Sequence, residues 1–111
     1  MKPTWFHILL ALAEGDRHGA AITRDVLDLT AGSLRLWPAT LYGSLEELRE
    51  AELIEELEEP LRPEGESGRK RFYRLTAKGR AALVREVARL EGVVATARRR
   101  VAGGKAGRGA R

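Results

Sequence analysis

A chain of 111 residues fits one domain, and with 43% hydrophobic and 32% charged residues it is neither a disordered polymer nor a membrane-embedded protein. It has no cysteine and only two histidines, His7 and His18, which excludes disulfides, thiolate metal sites and thiol nucleophiles and leaves little for histidine chemistry. The net charge of +4 conceals a split: residues 46–66 carry two bases against ten acids, residues 67–111 fourteen bases against two acids, and residues 1–45 balance. The C-terminal part therefore offers a basic surface to a polyanion, unless the acidic block pairs with it.

The longest apolar run, Trp5 to Ala13, is interrupted by His7 and falls short of the roughly 20 residues a spanning helix needs. It also lacks a signal-peptide cleavage site, so the expectation is a cytoplasmic protein with no membrane partner. Trp5, Ile8, Leu9 and Leu12 follow the spacing of a helix with one buried face. Thr4 is the expected cap, and Glu14-Gly15-Asp16 the closing turn.

A second helix begins near His18 or Gly19, buries Ile22, Val26 and Leu29, and closes at Ala31-Gly32, with His18 as a turn or cap residue. Leu34-Arg35-Leu36 alternates and reads as a short strand ending at Trp37-Pro38. Proline suits the first turn of a third helix, Pro38 to about Ala51, with Leu41, Leu45 and Leu48 inward and Thr40, Gly43, Ser44 and Glu47 outward. Small polar residues on an exposed face let a helix backbone approach a surface closely. Glu46, Glu47 and Glu50 oppose a polyanion, so the N-terminal half of that helix is the half to approach it.

Leu53 to Glu59 and Arg69 to Leu75 read as the strands of a hairpin with a long, breaker-rich tip. In the return strand Phe72 and Tyr73 fall on opposite faces, so one of them should be exposed. Thr76 caps a long last helix, whose Leu83, Val87, Leu90, Val94, Ala97 and Val101 are spaced as a coiled-coil seam. A domain of this size does not cover such a helix, and a second copy is the economical partner. Gly92 marks a place for a kink or early fraying. Residues 102–111 have no apolar periodicity and read as a disordered basic tail, either a solubilising end or a nonspecific nucleic-acid arm.

Three helices, a basic hairpin and a further helix make a mostly α fold with a small β-hairpin, a winged helix-turn-helix over residues 1–76 with a dimerisation helix over 77–101. In that architecture the third helix enters the major groove and the hairpin reaches the phosphates. Arg69, Lys70, Arg71 and Arg74, bordered by Gly68, fit the second role.

These residues carry a family resemblance. Leu9-Leu10-Ala11-Leu12 with Gly15 and His18-Gly19, then Pro38-Ala39-Thr40-Leu41-Tyr42, Leu45, Leu48 and Leu53-Ile54, and finally Gly68 to Gly79 resemble the PadR family of bacterial transcriptional regulators over about residues 5 to 90. Its length, with one C-terminal helix, resembles the short subfamily. The resemblance implies a homodimeric repressor on a palindromic double-stranded DNA operator, often released by a small-molecule effector.

By that resemblance Thr40 and Tyr42 of the third helix and Lys70, Arg71 and Tyr73 of the wing contact DNA, with Ser44 and Arg69 beside them; Tyr42 and Tyr73 read alternatively as part-buried core aromatics. Dimerisation falls to Trp5, Leu83, Val87, Leu90, Val94 and Ala97; Trp5 reads as dimer or core packing and is the one aromatic placed for an effector site. Trp37 is expected to anchor the third helix to the core. Ala20, Ala39 and Gly43 depart from the family pattern. No cofactor or metal is implied, and no catalytic set assembles, so an enzyme is not expected. The rival reading is a winged-helix module that binds a basic protein through the acidic block.

Overall fold

The computed structural model describes residues 1–58 and 70–104. Four helices and three short strands follow in the order α1 (Pro3–Leu12), β1 (Arg17–His18), α2 (Gly19–Leu29), α3 (Pro38–Glu50), β2 (Ile54–Glu56), β3 (Phe72–Leu75) and α4 (Ala77–Gly104). The three strands form an antiparallel sheet in the order β1-β3-β2, with Arg17 opposite Tyr73 and Ile54 opposite Leu75.

The core is a wedge between α1, α2 and α3. Ile8, Leu9, Ala11 and Leu12 come from α1, Ile22 and Val26 from α2, and Leu41, Leu45 and Leu48 from α3, all buried. Leu36, Ile54, Tyr73 and Leu83 close it at the edges. The α1 periodicity holds, but its cap differs from expectation. Pro3 occupies the first turn and Lys2 is the capping position, so Thr4 lies inside the helix. Two arginines satisfy carbonyls at the other end: Arg17 Nε donates to Ala11 O at 2.8 Å and Arg80 Nη2 to Ala13 O at 3.2 Å.

His18 caps α2 as expected, its Nδ1 accepting from Ala21 N at 3.3 Å. The strand expected at Leu34-Arg35-Leu36 is not formed; the third strand is Arg17–His18 instead. The reason is pairing: β3 has an open edge beside the α1–α2 turn, whereas residues 34–36 serve as an extended lead into α3 that buries only Leu36. β3 is thus central in its sheet, and both of its aromatics are covered. Phe72 and Tyr73 are each buried, against the expectation that one be exposed. Phe72 stands edge-on to His18 with ring centroids 5.3 Å apart, and Tyr73 joins the main core.

The α3–β2 turn is tight, with Leu53 N donating to Leu48 O at 3.0 Å and Glu52 at φ 64°. Thr76 then works in two directions, accepting from Gly79 N at 2.9 Å as a helix cap and donating to Glu52 O at 2.7 Å. A methyl on Gly79 would collide with Leu53 O, so glycine alone lets α4 start against β2.

From Ala77, α4 runs 28 residues, about 42 Å, unbroken through Gly92 and to Gly104, three residues into the segment expected to be disordered. The rest of that segment, 105–111, and the hairpin tip with Arg69 lie outside the described residues. Only Gly79, Leu83 and Glu86 of α4 are buried. Beyond them the rod leaves the body, which gives the molecule its 60 × 27 × 22 Å extents.

Candidate nucleic-acid interface

The N-terminal half of α3 is the part of that helix free of charge and open to solvent. Pro38 at its first position follows Trp37, which is extended at φ −72°, ψ 154° and whose carbonyl accepts the first helical bond. Thr40 and Gly43 are exposed, and apart from the local helix backbone no atom of the described residues lies within 4 Å of where a Gly43 Cβ would be. Tyr42 is 44% exposed, and its hydroxyl leans over α2, only 2.6 Å from a Cβ built on Gly19. Glycine at 19 therefore makes room for the Tyr42 ring, which explains physically why a His-Gly pair starts α2.

Ser44 belongs on the opposite side. Its spacing predicts an outward position, yet it is buried, because α3 packs with Leu41, Ser44, Leu45 and Leu48 inward, a stripe one residue wider than the leucines define. The same holds for Tyr73, which is buried in the core and not on the exposed face. It supports the surface from beneath: a small cleft joins Tyr42, Glu46, Arg49 and Arg71 over Tyr73, and the Arg71 guanidinium lies 5.9 Å from the Tyr73 ring. Burial pushes the Tyr73 phenol up.

Two acids of α3, Glu46 and Glu47, are engaged internally. Glu46 pairs bidentately with Arg49, whose hydrogen bonds hold its carboxyl below the usual range. Glu47 accepts from Trp5 Nε1 at 3.0 Å and from Lys2 Nζ at 3.4 Å, and the Trp5 bond is the main cause of its lowered pKa. On the wing, Arg71 forms a bidentate pair with Glu56 at 3.1 and 2.8 Å, which raises its pKa. Lys70 is exposed beside it. Arg74 instead clasps Asp16 at 3.1 and 2.9 Å and ties β3 to the turn before β1, a structural task.

Trp37 is placed otherwise than expected. Trp37 is 64% exposed and does not anchor α3; Leu36 does that, because an extended chain turns alternate residues to opposite sides. The alternation legible in Leu34-Arg35-Leu36 therefore extends one residue further and carries Trp37 outward. The Arg35 guanidinium stacks on its indole at 5.3 Å. Trp5 is half-buried against the core and bonded to α3. The residue facing α4 is its neighbour Phe6, which lines an apolar groove of about 430 Å3 with Val87, Leu90, Val94 and Arg98. Val87 and Val94 of the seam are exposed, as is Ala97, while Leu83 is buried and Leu90 is partly covered.

A three-helix core whose third helix shows a bare N-terminal half, with a β2–β3 hairpin beside it, defines a winged helix-turn-helix protein. The sequence profile described as the "Transcriptional regulator PadR-like family" matches residues 8–85. The chain belongs to that family, whose members are transcription regulators and not enzymes.

Its relatives include an uncharacterized 37.1 kDa protein in a transposon of Streptomyces fradiae, 40% identical over 90 residues. Those residues are 78% of this chain but 24% of the relative, so the chain spans about a quarter of that protein. A second, an uncharacterized protein of Lysinibacillus sphaericus, is 30% identical over 78% of this chain and 80% of the relative.

Among solved structures, a PadR family transcription regulator from Clostridium difficile superposes with a TM-score of 0.74 at 20% identity, covering 90% of this chain and 99% of that one. Bacillus subtilis PadR, solved in complex with operator DNA, gives 0.65 at 21% identity over 78% of this chain and 47% of that one. These establish a shared fold. Among the described residues, no helix is long and apolar enough to cross a membrane.

Proposed function

We propose that this chain is a sequence-specific DNA-binding transcriptional regulator that sits as a homodimer on a palindromic operator and acts as a repressor. The observation that carries the reading is the uncharged, open first half of α3, with a cleft on either side of Tyr42. One cleft leads to Arg71 of the wing and the other to Arg35. Two of the α3 acids are matched by their own partners, Arg49 for Glu46 and Trp5 with Lys2 for Glu47, which lowers the cost of bringing phosphates near. Thr40 and Tyr42 then face base edges and Lys70 and Arg71 the backbone. The operator complex of Bacillus subtilis PadR supports DNA as the partner class.

Dimerisation falls to the α1–α4 groove at Phe6, Val87, Leu90 and Val94. Small-molecule release belongs to the same reading, with Phe6 rather than Trp5 as the groove's aromatic. The test is capture of genomic DNA fragments at low salt, followed by sequencing. An inverted repeat recovered by the wild type and lost with Thr40→Ala supports the proposal; failure to retain any duplex overturns it.

A further inference from the structure

Tryptophan is among the largest apolar side chains, and the one at position 37 is left 64% exposed on an otherwise well-packed domain. Its position is fixed: Pro38 locks the start of α3, Leu36 is buried on the other side of the chain, and the Arg35 guanidinium stacks against the ring at 5.3 Å. Beside the pair, Ala20 and Thr23 of α2 and Leu41 and Tyr42 of α3 form the floor of an open cleft of about 360 Å3. An exposed tryptophan with a stacked arginine is the composition of an interface hot spot.

We propose that Arg35 and Trp37 form a third DNA-contacting element, distinct from the α3 face and the wing. Trp37 packs its indole on a deoxyribose and a thymine methyl at the groove edge, and Arg35 meets the adjacent phosphate. The inference rests on the DNA-binding reading above. Continuity selects DNA over a second copy, since the cleft shares Tyr42 with the exposed α3 face, whereas the apolar groove suited to self-association is lined by other residues, on α1 and α4. Charge agrees, because among the described residues the cleft is lined by a cation and no carboxylate. A flat apolar ring reads a methyl, which is a sequence feature, while a guanidinium on a phosphate reads none.

The test uses the duplex recovered by genomic capture, with its thymines replaced singly by deoxyuridine, and a random duplex of equal length. Fluorescence anisotropy over a salt series compares the wild type with Trp37→Ala, Trp37→Phe and Arg35→Ala. At one position per half-site, loss of the methyl should weaken the wild type about fourfold, the effect of burying one such group. Trp37→Ala should be indifferent there, with Trp37→Phe between the two. Arg35→Ala should lower the salt slope by about 0.9 for each phosphate left without its guanidinium. Wild-type affinity and an unchanged uracil profile in Trp37→Ala would overturn the clamp while leaving the DNA reading intact. A Trp37→Ala protein that sediments as a monomer where the wild type is a dimer would overturn it in favour of a second copy. No binding of any duplex by the wild type sinks both.

Discussion

Gly79 and Gly19 each sit where a methyl would collide, but with different neighbours. At 79 the obstacle is the Leu53 carbonyl, pinned because it accepts from Thr76 N at 3.1 Å. At 19 it is the Tyr42 hydroxyl at 2.6 Å, the far end of a part-exposed side chain that has room to swing. Gly79→Ala should therefore lose about 3 kcal/mol or more, the upper end for overpacking, and Gly19→Ala about 1 kcal/mol. Urea denaturation of both variants checks the order. Gly19→Ala should also weaken operator binding more than its stability loss explains, because Tyr42 is displaced from the proposed contact face. Equal stability losses in the two would show that the Leu53 carbonyl yields as readily as a tyrosine ring.

Between elements, two ion pairs tune the α3 region. Glu47 joins α1 to α3 through Trp5 and Lys2, and its carboxyl is held below the usual range chiefly by the indole N–H. A depressed folded-state pKa means that the link stabilises fully above the ordinary carboxylate range, around 4.3, and is lost as pH falls through the lower folded value. In a Trp37→Phe background, Trp5 emission should change as pH drops below the ordinary carboxylate range, and Glu47→Gln should remove that step. An identical titration in the glutamine variant would show that another group reports.

On the wing, Arg71 is already bound by Glu56, so DNA has to compete with an internal carboxylate. Glu56→Gln should tighten binding to random and operator duplexes alike. The Lys70→Ala, Arg71→Ala double variant should weaken both alike and lower the salt slope by about 1.8, at 0.9 for each phosphate. Gel shifts across ionic strength separate these outcomes from a loss of sequence preference, which would instead assign the wing to base readout.

The whole molecule is a small core with a rod about 42 Å long leaving it. Val87, Val93, Val94 and Val101 are 38%, 52%, 48% and 78% exposed on that rod, an arrangement that a single copy in water does not stabilise by packing. Val94→Asp should leave helix content and the core intact, since the site touches neither α2 nor α3, yet convert the proposed dimer to a monomer at micromolar concentration. Sedimentation velocity reads this directly. Operator affinity should fall steeply with it, because two half-sites bound by one body act as a single ligand. A Val94→Asp dimer would move the interface to another face of α4.

Much of this architecture is written locally. Leucine and isoleucine spacing in α1 and α3, Pro38 at a helix start, Thr76 as a cap and the 4-3 spacing along α4 depend on neighbours a few residues away, so the helices, the wing hairpin and the family are legible in the bare chain. What the chain does not spell out is which surface a residue meets from far along its length. Pairing of Arg17–His18 with β3 made that strand central and buried both Phe72 and Tyr73, though alternation demanded one of them outside. Packing across α3 took Ser44 inward, the lead into Pro38 turned Trp37 out, and the α1 helix turned Trp5 toward Glu47 of α3 and its neighbour Phe6 toward the α4 groove. Burial and charge pairing are sums over contacts between segments far apart in sequence, and they are fixed once the helices and the sheet have packed together.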